Sequence, residues 1–334
     1  MALKTSVNNL PALDATEPYD VCVIGSGPAG TIAATTLAGH GVRTLLLESG
    51  NSLVTWAFDS RLKALAEYEV AGNAAYPTER TVSRLLGGNS NFWTGRCERF
   101  HPSDFEPHAY TPEGGPWPLR FEDMQPFYLR AEKTLRVRGG ELSDYAQPRE
   151  EPFPLPPRPD ITALKRYMDE KAGLTLDDSP TATPRKGLRF FRVQKEILPA
   201  FLSSRHGTLV SGVTATRLLA GVDGSISGVR VQTFDGVAKV VRARLYVVCC
   251  GGLQTPRLLL LSRSERWPDG VGNSRDRVGR GFNEHPSLNF YGKVRPDRVT
   301  LSPKHALGRT HQFYDALRDE GLGAIHAVVI QSWV

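Results

Sequence analysis

DVCVIGSGPAGTIAATTLAGHGVRTLLLESG, residues 20–50, decides the fold. An apolar run reads as a strand, GSGPAG turns the chain, a small-residue stretch reads as a helix, and VRTLLLE reads as a second strand. Strand, turn, helix and strand in one unit of about 30 residues give a GxGxxG match its meaning, because the turn then sits at a helix N-terminus. Each glycine has its own reason. Gly25 allows the tight turn, Gly27 lets a pyrophosphate approach the backbone, and Gly30 lets helix and strand pack closely. Free N–H groups and the helix dipole favour phosphate charge at that end. Glu48 closes the second strand 18 residues after Gly30. An acidic side chain there accepts hydrogen bonds from a ribose 2′-hydroxyl and repels a 2′-phosphate, so FAD or NAD fits and NADP does not.

The rest of the chain decides between those two. After the second strand, regular patterning stops until RLLGGNSNFWTGRC at 84–97, a glycine-rich loop carrying two large rings. Much later, RLYVVCCGGLQTPRLLLLSR at 244–263 reads as another apolar strand, a turn at Gly251 and Gly252, and a helix. Thr255 is the expected N-cap of that helix and Pro256 its first residue. A strand that returns after so long an excursion means a sheet assembled from distant segments. That favours a flavoprotein over a contiguous NAD domain.

The 334 residues leave room for two domains or one domain with insertions. A hydrophobic share of 40% against 23% charged is that of an ordinary soluble chain with a sizeable core. The formal charge is +6, but Lys and Arg are scattered rather than gathered into a stripe, so no nucleic-acid partner is expected. Cys22, Cys97, Cys249 and Cys250 show no CxxC spacing, which argues against a metal site or a disulfide framework. No apolar run approaches the ~18 residues of a transmembrane span, and the N-terminus lacks the order of a signal peptide. The expected compartment is the cytoplasm.

Between these landmarks, EEPFPLPPRPD at 150–160 reads as an extended proline-rich connection and ITALKRYMDEKAG at 161–173 as a helix. TLVSGVTATRLL at 208–219 reads as one strand, and residues 209–234 as a hairpin about VDGS. LNFYGKV and AIHAVVIQ read as late strands.

Taken in order, VIGSGPAG with Glu48, RLLGGNSNFWTGR, WPLRFEDMQPFYLRAEKTLRVRG at 117–139, VVCCGGLQTPRLLLLS and VGRGFNEHP at 278–286 resemble the GMC (glucose–methanol–choline) FAD oxidoreductases. The branch is that of pyranose oxidase, fructose dehydrogenase and gluconate dehydrogenase, and the resemblance covers about residues 18–290. It implies an α/β fold in which a discontinuous Rossmann-like FAD domain is interleaved with a substrate domain containing an antiparallel sheet. The implied boundaries are 18–100 and 206–286 for the FAD domain, 101–205 for a substrate or cap segment, and 287–334 for the start of the substrate-domain sheet.

The same resemblance implies that Gly87, Gly88, Asn89 and Ser90 line the pyrophosphate and the flavin edge, where glycine N–H groups meet an anion. Asn91, Phe92, Trp93 and Thr94 run along the isoalloxazine, Gly251 and Gly252 join the cofactor site, and the backbone of Val213 meets adenine. Relatives that attach flavin covalently carry a histidine where this chain has Phe92, so the implied FAD is noncovalent. The implied reaction oxidises an alcohol, sugar or polyol, with a base taking the hydroxyl proton while hydride passes to flavin N5. In the family that base is a histidine near the C-terminus, and no segment here matches it. His285 reads as a loop-shaping residue, and His305, His311 and His326 as surface or packing residues. The catalytic residue and the electron acceptor are therefore unassigned. The chain is expected to be a truncated member completed by a missing portion or a second subunit. Two other readings stay open: a noncatalytic flavin- or partner-binding fragment, and an NAD-dependent dehydrogenase.

Overall fold

A computed structural model of the chain describes residues 5–7, 18–51, 82–107, 117–157, 161–186, 190–282, 288–292, 306–318, 320 and 323–331. Along the chain run β1 (Thr5–Val7), β2 (Tyr19–Ile24), α1 (Pro28–Gly39), β3 (Thr44–Glu48), α2 (Phe121–Leu135), α3 (Thr162–Ala172), β4 (Asp177–Asp178), α4 (Val193–Glu196), α5 (Leu198–Ser203) and β5 (Gly207–Ser211). Then come β6 (Val213–Ala220), β7 (Ile226–Thr233), β8 (Ala238–Val241), β9 (Ala243–Val248), α6 (Gly251–Leu261), β10 (Ala306–Thr310) and β11 (Ala327–Gln331). Contacts divide the chain into two units, residues 1–93 with 192–286 and residues 94–191 with 287–334.

The first unit is built on a five-stranded sheet in the order β1-β5-β3-β2-β9, parallel throughout. A parallel sheet must be covered on both faces, and the unbroken burial of β3 reflects this. Because side chains alternate across a strand, one face collects Val21, Val23, Leu46 and Leu209, which pack with Ala34 and Ala38 of α1 and with Leu198 and Phe201 of α5. The opposite face collects Cys22, Ile24, Leu45, Leu47 and Val210, which pack with Leu218, Val229 and Val231 of a three-stranded antiparallel sheet β6-β7-β8 and with Leu258 of α6. The alanines of α1 keep that helix thin enough to lie close to the sheet.

Two details differ from the sequence reading. The expected strand over 208–219 is broken at Gly212, whose φ of +73° lets the chain leave the parallel sheet and enter the antiparallel one. The hairpin about VDGS forms as expected, closed by Gly221 donating to the Ser225 carbonyl at 2.8 Å. The helix after β9 begins at Gly251 itself, so Thr255 is not its N-cap and Pro256 lies inside it. A φ of +80° at Gly251 starts the helix early, and the Thr255 hydroxyl accepts the Cys250 N–H at 3.2 Å from within the first turns.

In the second unit β11, β10 and β4 form a three-stranded antiparallel sheet, and Ile161, Leu164 and Leu176 form an apolar cluster beside α3. The expected strand LNFYGKV is not seen: residues 288–292 have no regular structure and their side chains are exposed, and the remainder lies outside the described residues. AIHAVVIQ supplies β11. A buried charge network stands in this unit, with Arg99 donating to Glu132 at 2.8 Å and Arg149 donating to the same carboxylate at 2.7 Å.

Candidate functional site

β2, β3, β5 and β9 all end at one edge of the parallel sheet, and the glycine motifs gather at that carboxyl edge, where open α/β sheets bind ligands. At Gly25, φ is +102° and an added Cβ would stand 2.5 Å from the Cys249 carbonyl oxygen, so the turn is packed against the end of β9. At Gly30 a Cβ would overlap the Gly25 carbonyl. Gly27 differs from both: it is the N-cap of α1, its φ is an ordinary −62°, and a Cβ there would meet nothing within 4 Å. A side chain at Gly27 would enter open space outside the turn.

The loop at 84–97 lies directly on this turn. Gly87 and Gly88 take left-handed φ values of +87° and +52°, and a Cβ on Gly88 would come 3.0 Å from the Gly27 Cα. A short 3₁₀ turn over Gly88–Asn91 follows. Its side chains hold the loop's own shape. Asn89 accepts from the Ser83 N–H and hydroxyl at 3.0 and 2.8 Å, and Ser90 donates to the Gly87 carbonyl at 2.6 Å. Asn91 donates to the Leu86 and Gly88 carbonyls at 2.9 and 2.8 Å, and Gln194 donates to its amide oxygen. The polar side chains of Asn89, Ser90 and Asn91 are thus engaged within the loop and with its neighbours. Phe92 is 57% exposed and Trp93 half-buried.

Glu48 is buried, and its carboxylate accepts four protein donors: the Ser26 N–H at 2.9 Å and hydroxyl at 2.7 Å on one oxygen, and the Gly50 N–H at 2.8 Å and Ser49 hydroxyl at 3.2 Å on the other. Val213 is buried at the start of β6, next to Gly212, which donates to the Gly50 carbonyl at 3.2 Å. Gly251 and Gly252 head α6 in open surroundings, the nearest approach to either being Phe282 at 4.0 Å from a Cβ on Gly252. Burial pushes the Cys250 thiol up to about 12, with the neighbouring Glu48 charge adding to the effect, so this cysteine stays a protonated packing group.

An anionic dinucleotide fits these residues. Neither α1 nor α6 has an acidic residue in its first turn, the space outside Gly27 at the α1 N-terminus is open, and Gly88 lies against the Gly27 backbone, where a Cβ would stand 3.0 Å from the Gly27 Cα. The buried side-chain oxygen of Asn51, three residues past Glu48, has no hydrogen-bond partner among the described residues.

Sequence reasoning missed Ser26, Gln194 and Asn51. Ser26 stands at an unspecified position of the motif, and Gln194 reaches Asn91 across 103 residues of sequence, a pairing no local pattern signals. His285 and His305 lie outside the described residues. His311 is buried, and His326 is exposed with its ring 5.3 Å from that of His311. Among the described residues no group of three or more His, Cys, Asp or Glu side chains is placed to hold a metal ion, and no helix is long and apolar enough to cross a membrane.

A sequence model of the FAD binding domain matches residues 18–56, and one of GMC oxidoreductase matches residues 184–287. These segments supply β2, β3, β5 and β9 of the parallel sheet. The chain belongs to the GMC oxidoreductase family. Its cofactor is FAD, which sets aside the NAD reading. It is 31% identical to a 6'''-hydroxyparomomycin C oxidase from Streptomyces lividus over 85% of this chain and 57% of that protein. It is 31% identical to a paromamine 6'-oxidase from Streptomyces fradiae, with the same 85% and 57% coverage. A fructose dehydrogenase large subunit from Gluconobacter japonicus is 23% identical over 81% of this chain and 59% of its own length. The chain thus spans somewhat over half the length of these relatives. Among solved structures, pyridoxine 4-oxidase from Mesorbium loti superposes with a TM-score of 0.52 at 21% identity, covering 73% of this chain and 52% of that one. That likeness bears on the fold.

Proposed function

We propose that this GMC oxidoreductase chain is the FAD-holding part of an enzyme that oxidises a CH–OH group of an alcohol, sugar or polyol. The observation that carries the reading is the cradle of Gly27 and Gly88 over the N-terminus of α1, with Glu48 at the end of the adjacent strand. The relatives include oxidases of paromamine and hydroxyparomomycin and a dehydrogenase of fructose, which supports a polyhydroxylated substrate. When bound, FAD supplies a hydride acceptor.

This chain's residues do the holding. The α1 N-terminus and the bare backbone at Gly27, Gly87 and Gly88 receive the pyrophosphate. Glu48 receives a ribose hydroxyl, and of its four present donors Ser49, at 3.2 Å the most distant, is the one displaced. Phe92 and Trp93 stand against the isoalloxazine, and Phe92 offers no nucleophilic nitrogen, so the flavin is held noncovalently. The four cysteines are free, which supports the cytoplasm as compartment.

The test is to express the chain, measure flavin absorbance, and add sugars and alcohols under anaerobic conditions. Bound flavin is expected, acid precipitation should release all of it to the supernatant, and bleaching by a polyol would show that this chain also holds a base of its own. A chain that binds no flavin would overturn the cofactor assignment. Flavin that no alcohol reduces would reduce the reading to a noncatalytic flavin-binding chain, and a yellow acid pellet would overturn the noncovalent assignment.

A further inference from the structure

Ser26 has no assigned role, yet it is fully buried and sits where three cofactor motifs meet. Its hydroxyl donates to Glu48 at 2.7 Å and accepts the Gly87 N–H at 3.1 Å. On the other side of the same residue, the Gly87 carbonyl accepts the Ser90 hydroxyl at 2.6 Å, and Ser90 accepts the Val193 N–H at 3.2 Å. The four bonds form two pairs that meet at Gly87: Val193 N–H to Ser90 to the Gly87 carbonyl, and Gly87 N–H to Ser26 to the Glu48 carboxylate. Ser26, Ser90 and Glu48 are all buried. Within each pair the shared hydroxyl both donates and accepts, so cutting one bond weakens the other, and together the two serines brace Gly87 from its N–H and from its carbonyl.

We propose that Ser26 is a positioning residue for the flavin cofactor: its hydroxyl fixes the height of the Gly87–Gly88 loop over Gly27 and so presets the pyrophosphate cradle. The proposal rests on the FAD reading for its consequence, while the coupling itself belongs to the unliganded protein. It acts through Gly87 and Glu48, because Ser26 has no surface to offer a ligand. A preset cradle raises affinity by removing the cost of ordering the loop at the moment of binding.

The test compares the full chain with Ser26→Ala, Ser26→Thr and Ser90→Ala. In the absence of FAD, amide hydrogen exchange over residues 84–93 is expected to speed up about tenfold in Ser26→Ala, since the Gly87 N–H loses its acceptor. FAD titration is expected to show about tenfold weaker binding in Ser26→Ala and a changed visible circular dichroism of the bound flavin. Ser26→Thr, which keeps the hydroxyl, is expected to restore most of the affinity. Ser90→Ala frees the other side of the same glycine, and a turn released on one side is already loosened, so the double variant Ser26→Ala/Ser90→Ala should bind only slightly more weakly than either single one. Unchanged exchange in Ser26→Ala, FAD affinity within about twofold of the parent with the same dichroism, or full additivity of the two serine changes would overturn the proposal. A parent that shows the expected exchange pattern but takes up no FAD would overturn the cofactor reading, and with it the consequence drawn for affinity.

Discussion

A single methyl group separates the roles of Gly27 and Gly30. On Gly30 it would overlap the Gly25 carbonyl and stand 3.1 Å from the Cys249 side chain, so backbone must move and Gly30→Ala should lower stability by about 1–3 kcal/mol or more. On Gly27 it meets nothing within 4 Å at an ordinary φ, so Gly27→Ala should leave the melting temperature of the FAD-free protein unchanged. The same methyl occupies the ligand's approach, and FAD affinity should fall by about tenfold or more. Thermal scans of the FAD-free proteins together with FAD titrations check both halves; equal losses of stability in the two variants would contradict the assignment of inner and outer glycines. The glycines were legible in the sequence because the spacing of the motif encodes backbone needs that only glycine meets. Asn89, Ser90 and Asn91 were legible as a cluster but not in their role, since their polar groups are spent inside the loop and only geometry shows which atoms face out.

The elements repeat this division between what local pattern encodes and what it does not. The βαβ unit, the β6–β7 hairpin and α3 follow from periodicity and turn residues, and all form where expected. The start of α6 was misread because Thr-Pro is a common way to open a helix, whereas a left-handed glycine one turn earlier can open it too. Thr255 nevertheless serves that helix, by accepting the Cys250 N–H at 3.2 Å. Thr255→Val keeps the shape and removes the acceptor, which should cost about 1 kcal/mol and lower the melting temperature by a few degrees. Thr255→Ser should retain the parent value, and a Val variant as stable as the parent would show that the bond contributes nothing. Gly212 was missed for the same reason as the α6 start, as one left-handed residue inside an otherwise continuous strand pattern turns one strand into two sheets.

At the scale of the whole molecule, the second unit was the least legible, because much of its interior is polar and charged residues read as surface. Arg309 is almost wholly buried, and it pairs with Glu98 and donates to Gln147 at 3.0 Å, partners more than 160 residues away in sequence. His311 is buried beside it, with its Nδ1 3.4 Å from the Arg309 guanidinium and its ring near those of His101, Tyr314 and His326. Burial first, and then the positive charge of Arg309 and the two other imidazoles, holds the His311 pKa down to about 3. The sign of the consequence follows from linkage. An imidazole that is harder to protonate when folded contributes full stability above its unfolded pKa of about 6.5, and loses it as pH falls from there toward the folded value. Between pH 7 and pH 5 the unfolded chain takes up a proton that the folded chain refuses, so this one site should remove about 2 kcal/mol, a melting shift of several degrees. His101 is shifted in the same direction by burial and adds to the slope. His311→Gln has no such proton to gain, so its melting temperature should fall less steeply over that range than the parent's, whatever its value at pH 7. Melting curves collected from pH 8 to pH 5 at constant ionic strength check this, and parallel slopes for parent and variant would show that His311 titrates alike in the folded and unfolded chains.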